Sequence, residues 1–532
     1  MPIGMTIKEP VRNVDVSPLL ANLPERLGDV IAPWVESSPD RTVLVETSGS
    51  WTYRELSSAV SAAKDWLRQL GVRPGDRVML VFENCRAFVA IFLALGEIDA
   101  WPVLVNARLS ASEVSQIREH SNPRRIIYTS AVSPHASAHA KRHRAAVEDV
   151  LLLGTISVGA LNEETVTEPV DTNVADRVAA LIYTSGTTGT PKGVMLTHRN
   201  LLFVAAVSAQ IRALKPRDRM YGVLPMSHAV GLSVVLLGAL FSGAALYLAP
   251  RFDPVTALAT LEKDGLTVML GVPAMFALLL EYAKAKGFRS MKFPSLRIIS
   301  SSGAPLDAAL KASIEEFFGL CLFNGYGVTE CSPNIAQARI EEHRRDTSVG
   351  RIFPGIEVKL NRADGQAVAE GDVGELWVRG PNVMRGYYRA PAETAAAIDG
   401  EGWFNTRDLA RLEGEHLFIV GRTKDLIVRF GFNVYPAELE TVFNNHPEVV
   451  RSAVIGRSVK GTEGGEEIVV FVQPLPNSPV TAAQLSDYAA EHLVPYKRPS
   501  HFIILPELPL TPTGKVMKDE LARMIAGSVP MH

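Results

Sequence analysis

Between Tyr183 and Gly193 the chain gathers small, hydroxylated and charged residues into one short run, YTSGTTGTPKG. Gly186, Gly189 and Gly193 permit backbone geometries that aim several N–H groups at a single anion. Ser185, Thr187, Thr188 and Thr190 add hydroxyl donors, and Lys192 adds a positive charge. A flexible surface turn explains the glycines, but not the hydroxyls and the lysine crowded beside them. Phosphate is the chemistry this loop fits. Neither the GxxxxGK pattern followed by Ser or Thr nor GxGxxG occurs in the chain, so the loop is not the common P-loop or the dinucleotide fingerprint.

Two more segments carry chemistry. In NGYGVTE (324–330), Tyr326 is flanked by glycines and can offer a flat face to a purine. Thr329 and Glu330 place a hydroxyl and a carboxylate where Mg²⁺-bound phosphate would sit. Read alone, the segment is a polar loop. PLTPTGKVMK (509–518) carries Lys515 on a proline- and glycine-bearing loop, where an isolated lysine would normally face solvent.

These residues must be positioned by regular elements. RVMLVF (77–82), WPVLVN (101–106) and RRIIYTS (124–130) read as strands, FVAIFLALGEI as a helix, and ALIYT as the strand leading into the phosphate loop. Such alternation predicts a largely parallel sheet with helices on both faces. Residues 154–175 are polar and aperiodic and read as a connecting loop, and the basic patch KRHR (141–144) reads as a solvated helix face. From about residue 355, IEVKL, GELWVRG and HLFIVGR are short strands of a small antiparallel subdomain. After GRTKDL, PAELETVFNNH and TAAQLSDYAAEHL read as helices, and VVRSAVIGR and EIVVFVQP as strands. The expectation is an α/β protein: a large N-terminal domain over 1–423 with mixed parallel sheets and a small β subdomain, and a small α+β domain over 424–532.

Composition narrows the class. With 532 residues the chain exceeds one compact core, and 47% hydrophobic and 21% charged residues are ordinary for a globular protein. A net charge of −3 gives no reason to expect nucleic acid or an anionic membrane as partner. Cys85, Cys321 and Cys331 form no CxxC pair, which argues against a disulfide framework and fits a reducing compartment. MPIGMTIKEPVRN holds no apolar run of signal-peptide length, so a cytoplasmic location is expected. Val230–Ala249 is uncharged and about as long as a membrane span. The Ser242-Gly243 breaker, and Pro250, Arg251 and Asp253 just beyond, favour a buried helix followed by the buried strand AALYLA.

In its order of residues, YTSGTTGTPKG resembles the signature of the adenylate-forming (ANL) superfamily: acyl-CoA synthetases, aryl-CoA ligases, firefly-type luciferases and peptide-synthetase adenylation domains. Companion segments recur in the family's order over most of the chain. The resemblance implies that Thr184, Ser185, Gly186, Thr187, Thr188, Gly189 and Lys192 hold ATP phosphates, with Glu330 and Thr184 at Mg²⁺. Tyr326 would stack on adenine within Asn324, Gly325 and Gly327, and Thr329 would touch phosphate. SSSGAPL brings Gly303, Ala304 and Pro305 to the nucleotide. GWFNTRDLARL supplies Asp408 for the ribose hydroxyls and GRTKDL supplies Arg422 as a second ribose contact. Arg407 stands where the family usually has glycine; its side chain either reaches phosphate or points outward, and it receives no role here.

LPMSHAVGL resembles the segment with the family's acyl-gate residue, here His228. Val230, Gly231, Val272, Met275, Ser301, Ser302, Gly303 and Val328 would complete the acyl wall. That wall suits a fatty or aromatic monocarboxylate, since a dicarboxylate would want a buried arginine and no clear candidate is visible. Lys515 resembles the catalytic lysine, whose ammonium offsets the repulsion between a carboxylate and the α-phosphate. The family rotates its small domain for thioester formation. The hinge maps to Lys424, and RFGFNVYP brings Arg429, Gly431 and Phe432 to the pantetheine channel.

ATP, Mg²⁺ and coenzyme A are thus the implied cofactors, and a small carboxylic acid the implied substrate. Other readings stay open: loading of an acyl-carrier protein, a luciferase-like oxygenase, or a non-catalytic nucleotide-binding protein. Retention of Lys515, Glu330 and Asp408 argues against the last, and the absence of an acidic residue near His228 argues against amino-acid activation. A lysine acyltransferase acting on Lys515 would remove the charge that adenylation needs. Oligomeric state is not legible in the sequence.

Overall fold

A computed structural model of the chain describes residues 15–185, 191–362, 364–430, 432–458, 466–510 and 516–526. Arg77–Phe82, Trp101–Asn106, Arg125–Tyr128 and Val178–Ser185 lie parallel at the centre of an eight-stranded sheet. Successive residues of Arg77–Phe82 point to opposite faces, as a pleated strand requires. Val78, Leu80 and Phe82 enter the main core, while Met79 and Val81 enter a second core on the other face. Burial on both faces explains why the strand reads as an unbroken apolar run. Helix Arg86–Glu97 packs against helix Tyr53–Gln69, which starts with a capping box between Thr52 and Glu55.

A second, thirteen-stranded sheet carries Arg219–Gly222, Ala245–Leu248, Val268–Gly271, Ile298–Ser301 and Leu322–Gly327 as parallel strands. At Leu322–Gly327 the pairing turns antiparallel, through Asn334–Gln337. The antiparallel strands expected after residue 355 continue this sheet by hydrogen bonding, as Glu357–Asn361, Gly374–Arg379, Phe404–Glu413 and His416–Arg422.

The uncharged stretch is core. Val230–Leu237 is wound as a π-helix, Gly238–Ser242 continues as α-helix, left-handed Gly243 ends it, and Ala245–Leu248 is a strand. Among the described residues, no helix is long and apolar enough to cross a membrane. Two expectations need correction. Gly154–Val158, inside the expected loop 154–175, is a strand paired with Arg125–Tyr128 and Ala146–Val150. Its only apolar residues are the buried Ile156 and Val158, too short an alternation to stand out without its sheet partners. In KRHR, Lys141, Arg142 and Arg144 are exposed, but His143 is half-buried with its Nδ1 2.6 Å from the Tyr128 hydroxyl.

Beyond Arg422 the hairpin Ile427–Arg429/Phe432–Val434 leads into a sheet of Val449–Ser458, Glu466–Pro474 and His501–Ile504, with helices Pro436–Asn444, Ala482–His492 and Lys518–Ala526. The main cluster of buried apolar residues runs from Leu27 to Leu417, and separate clusters begin at Ile427 and Ala453.

Candidate active site

Several of the segments singled out by sequence leave the carboxyl ends of parallel strands, where open α/β sheets gather ligands. Val178–Ser185 forms a hairpin with Pro191–Thr197, Thr184 opposite Lys192 and Tyr183 opposite Gly193. Lys192 and Gly193 therefore belong to a strand rather than to the loop. A Cβ on Gly193 would lie 3.1 Å from the Tyr183 ring and 3.3 Å from Tyr388 Cβ, so ring packing also favours glycine there. Thr184 and Lys192 are half-buried. Gly186, Thr187, Thr188, Gly189 and Thr190, and the side chain of Ser185, lie outside the described residues.

NGYGVTE is not simply a polar loop: Asn324, Gly325, Tyr326 and Gly327 finish the strand at which the sheet changes sense. A Cβ on Gly327 would come within 1.9 Å of the Pro333 carbonyl oxygen, a contact with backbone that only glycine avoids. Asn324 is committed to the scaffold, its amide donating to the Thr347 carbonyl at 3.0 Å. Tyr326 donates its phenol proton to the Asp408 carboxylate. The other Asp408 oxygen lies 3.1 Å from Arg422 Nε, the two residues being neighbours across paired strands. Burial above all, and then the Asp408 charge, hold the Tyr326 pKa well above its usual value.

A short 3₁₀ turn, Thr329–Cys331, carries Glu330 to Tyr387, whose hydroxyl donates to Glu330 Oε1 at 2.9 Å. Lys192 Nζ sits 5.2 Å from the centroid of the same ring. Burial pushes the Glu330 pKa up, while the Tyr387 hydrogen bond and the Arg422 charge oppose it. Among the described residues no cluster of three or more His, Cys, Asp or Glu could hold a metal unaided. A single carboxylate fits Mg²⁺, which keeps its waters and arrives on substrate phosphates.

After Ile298–Ser301, Ser302 and Ala304 are half-buried while Gly303 and Pro305 are exposed. The expected acyl wall divides. His228 is exposed, and Val230, Val272, Ser302 and Val328 are partly so. Gly231 and Met275 are buried, and Ser301 is completely enclosed, its hydroxyl without a hydrogen-bond partner among the described residues. Of the residues expected in the wall, Ser301 is thus closed off from solvent. Protein packed around His228 depresses its imidazole pKa, and the Arg108 guanidinium adds to the effect.

The C-terminal residues are more loosely tied. Lys424 Nζ lies 3.2 Å from Asp519 Oδ1 on the surface. Arg429 donates to the Arg498 carbonyl, and the exposed Phe432 stacks on Tyr496 at 4.6 Å between centroids. Lys515 and Gly431 lie outside the described residues.

Sequence reasoning missed Tyr387, which stands in RGYYR without a distinguishing spacing and is recognisable only by the groups that meet on it. It also missed Arg108, held 3.0 Å from the buried Glu83 and close enough to act on His228.

A family model for AMP-binding enzymes matches residues 31–388, and one for the AMP-binding enzyme C-terminal domain matches 438–515. A feruloyl-CoA synthase from Amycolatopsis sp is 34% identical over 91% of this chain and 96% of its own length. A 4-coumarate–CoA ligase from Pinus taeda is 32% identical over 92% of each chain. Among solved structures, ATP-bound MatB from Rhodopseudomonas palustris superposes with a TM-score of 0.80 at 26% identity, covering 94% of this chain and 99% of its own. The o-succinylbenzoate coenzyme A synthetase (MenE) from Bacillus subtilis, in complex with ATP and magnesium ion, gives 0.78 at 29% identity, covering 93% and 99%.

Proposed function

Because the chain belongs to the AMP-binding enzyme family, we propose that it is an AMP-forming acyl-CoA synthetase whose acid is an aromatic monocarboxylate of the hydroxycinnamate type. It uses ATP, Mg²⁺ and coenzyme A to join a carboxylic acid to the thiol through an acyl-adenylate. The observation that carries the reading is the convergence of Asp408, bonded by Tyr326, and Glu330, bonded by Tyr387, beyond the strand at which the sheet changes from parallel to antiparallel.

In the first step a carboxylate oxygen attacks the α-phosphorus, the bond to the bridging oxygen breaks, and pyrophosphate leaves. No general base is required, since the acid is already ionised near neutral pH. Asp408 and Arg422 would exchange their mutual contact for the ribose hydroxyls, with adenine against Tyr326. Lys192 and the phosphate loop hold the departing phosphates, Thr329 touches phosphate, and Lys515 aligns the acid. Mg²⁺ would be held by Glu330 with Thr184 alongside, and supplies charge neutralisation on the phosphates.

In the second step the CoA thiolate attacks the acyl carbonyl and AMP leaves. We place the domain boundary between residues 423 and 424, with Lys424 as hinge and Arg429, Gly431 and Phe432 along the thiol channel. The restart of the buried apolar clusters at Ile427 supports that boundary. The aromatic acid is supported by the feruloyl-CoA synthase and the 4-coumarate ligase among the relatives, and by the half-exposed Val230, Val272 and Val328. Arg108 does not argue for a dicarboxylate, because Glu83 already pairs with its charge.

The test is pyrophosphate release from MgATP with a panel of hydroxycinnamic, benzoic, fatty and dicarboxylic acids, with free CoA or holo-carrier protein as acceptor. Hydroxycinnamates should give the largest kcat/KM and a thioester with CoA. Preference for a fatty acid would overturn the substrate, transfer only to the carrier protein would overturn the acceptor, and no release with any acid would overturn the synthetase.

A further inference from the structure

Phe404–Glu413 does not run evenly beside its neighbour. Asn405 pairs with Trp377 and Leu409 with Glu375, so the chain bulges outward between them. Arg407 sits in that bulge at φ +58°, a left-handed conformation that glycine adopts freely and a side chain with a Cβ resists. Local bonds hold it there. Its N–H donates to Asn405 Oδ1 at 2.8 Å, and Thr406 Oγ1 donates to the Leu376 carbonyl at 2.8 Å while accepting from Asp408 N–H at 3.1 Å.

The bulge re-aims two successive side chains, as such irregularities do beside active sites. Asp408 turns inward to Tyr326 and Arg422. Arg407 is left exposed, and among the described residues its guanidinium makes no ion pair or hydrogen bond. A cation kept only for stability would be expected to pair with the adjoining carboxylate, but Arg422 holds that position. The guanidinium stands close enough to Tyr387 for its charge to be felt at that ring. Tyr387 is the ring on which Glu330 and Lys192 converge.

We propose that Arg407 is a further phosphate-binding residue, whose guanidinium grips the terminal phosphates of ATP and the pyrophosphate that leaves. The proposal rests on reading Glu330 and Lys192 as the phosphate side of the site. Guanidinium is planar, permanently charged and able to donate paired hydrogen bonds to phosphate oxygens, so it suits a leaving group on which negative charge accumulates. Strained backbone persists where the surroundings over-determine it, and it gathers at ligand clamps. Glycine would relieve this bulge at the expense of that grip.

Calorimetric titration of the full chain with magnesium pyrophosphate and, separately, with AMP tests this. Arg407→Gly should weaken pyrophosphate binding about tenfold and leave AMP binding within about twofold, while Arg407→Lys, which keeps the charge, recovers most of the loss. The melting temperature of Arg407→Gly should equal or exceed that of the unaltered chain, which separates loss of a ligand contact from loss of structure. Unchanged pyrophosphate binding, or equal weakening of both ligands, overturns the proposal. Failure of the unaltered chain to release pyrophosphate with any acid would overturn the synthetase reading, and the comparison of the two ligands would still decide the place of Arg407.

Discussion

The proposed nucleotide side and the proposed thiol side of this protein are held together in different ways. On the nucleotide side the two carboxylates have partners inside the fold: Asp408, 4% exposed, takes Tyr326 and Arg422, and Glu330 takes Tyr387. Tyr326, Asp408 and Arg422 rise from strands of one continuous sheet, so their spacing is set before any ligand arrives. On the thiol side Lys424 meets a carboxylate, Asp519, whose side chain is 80% exposed, and Phe430 and Phe432 stand 59% and 55% exposed on a short hairpin. A site that must develop charge in a fixed geometry needs the first construction. A part that must turn between two steps needs the second, because weak exposed contacts exchange readily for others.

The largest effects should fall on opposite half-reactions. Lys515→Ala should lower adenylate formation by about 10²- to 10³-fold, the scale of losing one electrostatic contact to a developing charge. Thioester formation from supplied acyl-adenylate should stay close to normal. Gly431→Trp should reverse that pattern. If either change slowed both steps equally, the division between the two sides would be wrong. Glu330→Gln should cut Mg²⁺-dependent adenylation on a similar scale, to about 10⁻² of normal or below. Near-normal turnover at saturating Mg²⁺ would remove Glu330 from the metal.

Asp408→Asn comes next. It keeps the shape but takes the charge away from Arg422 and weakens the acceptor for Tyr326. The expected loss is about 1–3 kcal/mol in MgATP binding, seen as a raised KM for ATP with the KM for CoA unmoved. A matching rise for CoA would mean that the carboxylate braces the whole fold rather than the nucleotide side alone.

The same division explains what was legible in the sequence. Strands such as Arg77–Phe82 announced themselves because burial on both faces demands an unbroken apolar run. Gly154–Val158 did not, since its two apolar residues are too few to mark a strand until Ala146–Val150 and Arg125–Tyr128 pair with it. Tyr326, Asp408 and Arg422 were named by resemblance, and in the structure Asp408 contacts both of the others. Tyr387 and Arg108 matter through what meets them in space, so neither had a local signal. Arg407 was visible as an oddity, but its significance lies in a backbone angle and a bulge that no spacing encodes.

Acid should weaken the large part through a residue outside the chemistry. His198 is 1% exposed, its Nδ1 accepts from Leu27 N–H at 3.2 Å, and burial lowers its pKa from 6.5 to about 3. Below pH 6.5 the unfolded chain takes up a proton that the folded chain refuses. Stability is therefore fully present above that pH and falls by about 1.4 kcal/mol per pH unit as acid is added, until the folded state also protonates. The melting temperature should drop from pH 6.5 to 5, and His198→Gln should flatten that slope. An unchanged slope in the variant would place the acid sensitivity elsewhere.

The smallest expected effect belongs to the tie between Lys424 and Asp519. An exposed ion pair of this kind contributes about 0–1 kcal/mol and is screened by salt. Asp519→Ala should leave the melting temperature within about a degree or two of normal. Because the contact joins the proposed hinge to helix Lys518–Ala526, its loss should act on the balance of the two half-reactions rather than on folding. The ratio of thioester to adenylate rates should change by less than about fivefold and by still less in 0.5 M salt. A shift of a hundredfold would mean that this surface pair locks the small domain, and that the thiol side is as firmly built as the nucleotide side.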